Sequence, residues 1–233
     1  MRRLGATASA LGEKKVRRRS RALVRALSPL RQLEIDRRLL ARATALGLLG
    51  DDSAAALDSR WERLYSEGAA DADALARGKR MRRLVRLLRR LERRPKENLR
   101  GRLEKARKAG EKRLAPPGPD SCDRVLHRYR IAVKASRYLA EDLAAIGVRG
   151  LDAAIERERR LQDALGHWND LRLFRKRLIA SRSEAEERGA VGLVLGLDTA
   201  IVRMEPTVAA ARAKALEEAR RAAETVPFHR DVA

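Results

Sequence analysis

Between Arg77 and Arg113 the chain carries 18 Lys or Arg against four Glu, a net +14 concentrated in one stretch of a protein whose formal charge is +22. Met81, Leu84, Leu88 and Leu91 run through that charge at steps of three, four and three. A disordered basic tail has no reason to keep such a seam. An amphipathic helix does, because these steps return to one side of a 3.6-residue turn. Lys79, Arg82, Arg83, Arg86, Arg90 and Arg93 then face away from the seam. Pro95 suits the first turn of a further helix reaching about Arg113. Elsewhere β-branched residues are sparse and never alternate over a useful length, so no strand pattern competes. Aromatics make up only 3% of the chain, as suits long helices rich in Ala, Leu, Arg and Glu. The expected class is all-α, and 233 residues suffice for one sizeable core or two coupled halves.

Punctuation divides the helices. Met1 to Leu27 reads as helix interrupted near Gly12, and Ser28 with Pro29 can cap and start the next. Asp52 and Ser53 can cap a helix from Ala54 to Glu67, with Leu57, Trp61 and Leu64 at apolar spacing and Gly68 to end it. Pro116-Pro117-Gly118-Pro119 is the clearest break, with Asp120 or Ser121 as the following cap. Helices are then expected from Ser121 to Ile146, Leu151 to Leu165, His167 to Arg188 and Ala190 to Thr225, with Pro227 to Ala233 frayed.

A sequence pI near 11.3 makes polyanions the natural partners: nucleic acid, polyphosphate or an acidic membrane surface. Cys122 is the only cysteine, so no intrachain disulfide can form. No apolar run approaches the roughly 18 residues of a membrane span, and the basic N-terminal stretch lacks a leader's long apolar core. The expected location is the cytoplasm, with no membrane partner. His127, His167, His229 and Cys122 stand in no familiar metal-ligand spacing. Neither a nucleophile elbow, a phosphate-binding Gly loop nor an acidic cluster for magnesium is present in the sequence. No catalysis, metal or cofactor is expected.

The chemistry concentrates in HRYRIAVKASRYLAE. His127, Arg130, Lys134, Arg137, Tyr138 and Glu141 recur every few residues and fall on one side of a helix at roughly 100° per residue. Val125, Ile131, Ala135, Leu139 and Leu143 form a neighbouring apolar stripe that would pack on a core. The cations span about 15 Å at roughly 1.5 Å per residue, which suits a linear polyanion better than a small metabolite. Arg130 and Arg137 offer planar forks to phosphate oxygens, Lys134 a mobile point charge, and His127 a donor that anions would keep charged. Tyr138 can bond phosphate or pack its ring between helices. Glu141 would repel a polyanion, so its expected role is to hold an arginine, as is that of Asn169 and Asp170. Gly166 would permit close helix approach or a tight turn, and Trp168 reads as core.

The pattern HxxRxxxKxxRYxxE over these residues, followed by LQDALGHWNDL from Leu161 to Leu171, resembles the CHAD family, the conserved histidine α-helical domains. The resemblance implies two similar antiparallel helical-bundle halves around a basic channel that binds inorganic polyphosphate without turning it over. Some relatives are fused to a triphosphate-tunnel hydrolase, which needs alternating glutamates on a strand; EPTVAAARAKALEEAR, from Glu205, reads as helix and lacks them.

Leu27 to Gln32 aligns with Leu165 to Asp170 at an offset of 138, as a first-half copy departing from the family pattern at Ser28 and Gln32. With a few residues of slack, Arg2 and Arg3 match the end of the signature helix near Arg137. The first-half histidine would precede Met1, through loss or a late start position. The halves are expected at 1–115 and 119–226. Polyphosphate contacts are expected from His127, Arg130, Lys134, Arg137 and Tyr138 in the second half. Lys79, Arg82, Arg83, Arg86, Arg90, Arg2 and Arg3 are expected to supply them in the first. The alternative is a nucleic-acid-binding helical protein, but Trp61, Tyr65, Tyr129, Tyr138 and Trp168 are too scattered for an evident stacking platform.

Overall fold

The computed structural model describes residues 1–92, 98–111 and 114–224, apart from the side chains of Arg2 and Glu92. Eight α-helices and no strand occur among them: α1 (Arg2–Ala10), α2 (Lys14–Ala45), α3 (Asp51–Arg77), α4 (Lys79–Glu92), α5 (Leu99–Glu111), α6 (Asp123–Ala145), α7 (Asp152–Glu187) and α8 (Val191–Glu224). The expected helix start at Pro95, the side chain of Arg93, the residue His229 and the frayed end from Pro227 lie outside the described residues.

Four helices end the same way, for a local reason. Gly12, Gly47, Gly147 and Gly189 take φ of 67°, 66°, 88° and 68°, the left-handed region that a Cβ penalises. Each reverses the chain so that the next amide bonds back five residues, as Val148 does to Leu143 at 3.1 Å and Ala190 to Ala185 at 2.9 Å. Gly12 and Gly147 close α1 and α6, while Gly47 and Gly189 close α2 and α7. The burial pattern repeats with them. Ser20, Leu23, Leu33, Asp36, Leu40 and Ala43 of α2 are buried, and so are Glu158, Leu161, Leu171, Phe174, Leu178 and Ser181 of α7, each 138 positions on.

Several expected boundaries dissolve into longer helices. α2 passes through Pro29, and Ser28 does not cap: its hydroxyl donates to the Val24 carbonyl at 2.6 Å, a mid-helix back-bond. Burial of Leu23, Leu33 and Leu40 along one side holds the helix together across the missing proline amide. α3 starts at Asp51 behind Gly50 and passes through Gly68. There a Cβ would meet Leu30 Cδ1 at 3.3 Å, so the glycine serves close packing on α2 and ends nothing. Leu57 and Trp61 are buried as expected, but Leu64 is 39% exposed. α7 runs unbroken through Gly166.

The chain forms two compact units, each assembled from separated segments. The first comprises Met1–Arg21, Leu84–His167 and the chain from Arg212 on; the second comprises Ala22–Arg83 and Trp168–Ala211. In the first, α1 and α5 pack on α6 and on each other, with Leu103, Leu139 and Leu143 at the centre and Ala10, Leu11, Ala106 and Val148 around them. Arg212 fastens the segment before α6 through the carbonyls of Pro119 (3.2 Å) and Ser121 (2.5 Å). In the second, Trp61 of α3 meets Phe174 of α7 edge-on, with centroids 6.1 Å apart.

Candidate functional site

α6 carries the cation row, but its packing face is not the one the sequence suggests. Leu126, Tyr129, Val133, Ser136, Leu139, Ala140 and Leu143 are buried, whereas Ile131 is 53% and Val125 40% exposed. The core stripe is turned from the expected Val125–Ile131 side toward the cations. Ser136 and Tyr129 join it, Ser136 because a neighbour receives it: its Oγ donates to Glu158 Oε1 at 2.8 Å. Consequently Arg130 and Arg137 border the core and do not stand clear of it.

His127, Arg130, Lys134, Arg137, Tyr138 and Glu141 are all half-buried, and the structure keeps them on one side of α6. His127 Nδ1 is buried without a hydrogen-bond partner among the described residues. Arg137 is far from an open fork. Its Nε donates to Gln162 Oε1 at 3.0 Å, its Nη1 pairs with Glu141 Oε1, and its guanidinium lies 4.9 Å over the Tyr138 ring. Tyr138 thus orients an arginine, and Glu141 holds one as its charge suggested. Glu141 also reaches Arg3 Nη1 at 3.4 Å, while Arg3 Nε bonds Asp142 Oδ1 at 2.8 Å and Thr7 Oγ1 donates to Asp142. Arg3 therefore sits beside the row with its charge already answered by two carboxylates. Arg2 is on the same helix, but its side chain lies outside the described residues.

Ser136–Glu158 and Arg137–Gln162 hold α7 against α6, and the short connection between Ala145 and Asp152 makes the two helices antiparallel. Gly166, one turn beyond Gln162, is therefore level with the Arg130 to Lys134 stretch. Nothing lies within 4 Å of a Cβ placed there. It provides neither a tight turn nor a close helix approach; the space at its Cβ position is open. Arg86 and Arg90 of α4 are exposed members of the same unit, whereas Lys79, Arg82 and Arg83, also exposed, belong to the other. All five face away from the buried Leu84.

The second motif is mostly architecture. Trp168 is 1% and Asn169 3% exposed; Arg172 stacks 5.5 Å over the Trp168 ring and donates to Asn169 Oδ1 at 3.4 Å. The first-half copy shows why Gln32 stands where Asp is expected. Asp36, fully buried, accepts from Gln32 Nε2 at 2.9 Å and Arg177 Nε at 3.1 Å. Burial pushes the Asp36 carboxyl above its ordinary value, and nearby Asp170 adds to that. A third carboxylate at position 32 would raise the cost, whereas an amide relieves it.

Sequence reading missed both buried acids. Glu158 is likewise pushed up by burial, against the opposing pull of Ser136, Arg107 and Arg157. Beside it the Tyr129 phenol is pushed up to about 12, by burial and by the Glu158 charge. It also missed a cluster of guanidinium groups in the second unit. Arg60 is held below its ordinary value by burial and by Arg188, Arg177 and Arg63, although Glu184 pairs with it. Single positions scattered over α3, α7 and the turn that follows it left no local signal for that cluster. Among the described residues no three His, Cys, Asp or Glu side chains converge as a metal site, and no helix is long and apolar enough to cross a membrane.

A family model described as CHAD domain matches residues 1–179. No curated protein and no solved structure gives a significant match to the chain.

Proposed function

Because the chain belongs to the CHAD domain family, we propose that it binds inorganic polyphosphate without turning it over. The observation that carries this reading is the side-chain-free space at Gly166, level with the half-buried cations of α6. A thin, flexible chain with one negative charge per phosphate fits beside such a row, whereas a stacked base would need a flat aromatic platform. His127 and Arg130 are the direct donors, Lys134 adds mobile charge, and Arg137 contributes through a position fixed by Gln162, Glu141 and Tyr138. Arg86 and Arg90 supply diffuse attraction from the exposed side of α4.

In the fuller form of the proposal, two similar helical halves at 1–115 and 119–226 surround a basic channel. Supporting it are the shared burial register of α2 and α7 and the matching glycine ends. The protein is proposed to act in the cytoplasm or at polyphosphate granules, without a cofactor. The deciding experiment titrates long-chain polyphosphate and single-stranded DNA of equal charge at the same salt. Tighter binding of polyphosphate is expected, with a log-log salt slope of several units, since each contacted phosphate contributes about 0.7–0.9 on nucleic-acid scales. Preference for DNA would transfer the reading to a nucleic-acid binder, and a slope near one would remove the extended track.

A further inference from the structure

The second unit's part of α8 buries Leu197, Ala200, Met204 and Ala211. Directly opposite, Val191, Leu195, Thr199, Val202, Pro206 and Ala209 follow one another at steps of four, four, three, four and three, and all are exposed. Val191 is 67%, Leu195 63% and Val202 69% exposed. These steps stay on one side of a helix, giving an uncharged strip about 27 Å long at roughly 1.5 Å per residue. It stands out on a chain of which 37% is charged, and it lies beyond the residues the family model matches.

Charge selects what can cover this strip. A polyanion finds no cation on it. An anionic membrane surface would meet Asp198 and Glu205 along one edge. A second copy of the chain, carrying +22, is repelled by every basic surface but not by this one. We propose that two copies pair here, α8 against α8, in parallel about a two-fold axis.

The flanks set the direction. Arg203 borders one edge of the strip, Asp198 and Glu205 the other. A two-fold axis along the helices places the Arg203 edge of one copy against the Asp198 and Glu205 edge of the other. Antiparallel pairing would set like edges together. Arg203, Asp198 and Glu205 already bond the Gly47 carbonyl, Arg182 and Arg175 of their own chain, so the flanks contribute direction and not strength. One helix pair of this length falls short of the roughly 1,200–2,000 Å² of a typical specific interface. The pair is therefore weak and governed by repulsion between the two basic bodies. Screening salt strengthens it, and so does neutralisation by bound polyphosphate, which rests on the proposed function.

Sedimentation of the full chain at about 0.1 M and 0.5 M salt, without polyphosphate, tests the pairing by itself, because screening lengths shorten over that range. Dimer fraction is expected to rise with salt, whereas polyphosphate binding falls; failure of one reading is thus separable from failure of the other. Leu195→Lys with Val202→Lys should stay monomeric at both salts and keep the parent's helical spectrum and polyphosphate titration. For direction, exposed Cys122 is first replaced by Ser. Val191→Cys and Val202→Cys, made separately and oxidised, should then each cross-link to their own counterpart. Monomer at both salts up to the highest soluble concentration, a doubly lysine-substituted chain that still dimerises, or self-cross-linking at only one cysteine would overturn the proposal.

Discussion

Replacing Gly166 by alanine isolates the space beside the cation row. The residue lies inside α7 with ordinary helical backbone, since its φ is not among the positive ones, and a Cβ there meets nothing within 4 Å. A mid-helix glycine is about 0.8–1.0 kcal/mol less favourable than alanine, and no contact offsets the gain. Gly166→Ala should therefore stabilise the fold by about 1 kcal/mol. For a chain of this size that is a rise of about 2–4 °C in melting temperature, read by calorimetry or by circular dichroism. Gly166→Leu should keep most of that stability, because leucine is also a good helix former, but its branched end fills the space level with Arg130 and Lys134. Polyphosphate affinity should then fall severalfold at fixed salt. A destabilised Gly166→Ala would refute the open-space reasoning. A stable Gly166→Leu binding at the parent's affinity would move the ligand elsewhere.

Gly196→Ala is expected to act oppositely to Gly166→Ala: the new Cβ would overlap Ser53 Oγ with Ser53 Cβ at 3.3 Å, so urea unfolding should show a loss of about 1–2 kcal/mol, partly restored by adding Ser53→Ala. Arg130→Gln removes a charge-assisted contact of about 1.5–3 kcal/mol and should weaken polyphosphate binding about tenfold or more, whereas Arg86→Ala on the exposed side of α4 should change it only slightly in the same titration. Equal losses would favour diffuse charge over an ordered row. Burial raises the Glu158 and Asp36 carboxyls, so the folded state holds those protons more tightly than the unfolded one. Their contribution to stability is full below the unfolded pKa and is lost as pH rises through the folded values. Glu158→Gln keeps an acceptor for Ser136 and should flatten the decline of stability above pH 4, measured by urea unfolding across pH; an unchanged slope would clear Glu158 of that role. Glu141→Gln should loosen Arg137 and Arg3 and steepen the salt dependence of polyphosphate binding, and an unaltered slope would show their charges were never withheld.

Much of the helical layout is written locally. The seam through Met81, Leu84, Leu88 and Leu91, the stop at Gly12 and the break before Ser121 all act within one or two turns, where spacing and backbone freedom decide. The cation row is local too, because residues three and four apart on α6 share a side whatever surrounds them. Glu141 holding Arg137 belongs to the same class. What a helix packs against is not local. Pro29, Gly68 and Gly166 would each end a lone helix, yet α2, α3 and α7 run on through them, because burial along one face outweighs the loss at one residue.

The turned core face of α6 has the same origin. Ile131 is the more apolar residue, but Ser136 is the buried one, since Glu158 arrives from α7 to satisfy its hydroxyl. Likewise the sequence by itself determines that Arg3 and Arg137 are cations. Only the tertiary structure decides that Glu141 and Asp142 also answer Arg3, and that Gly166 faces open space. Periodicity fixes which side chains share a face, while desolvation and pairing across helices fix what that face can do.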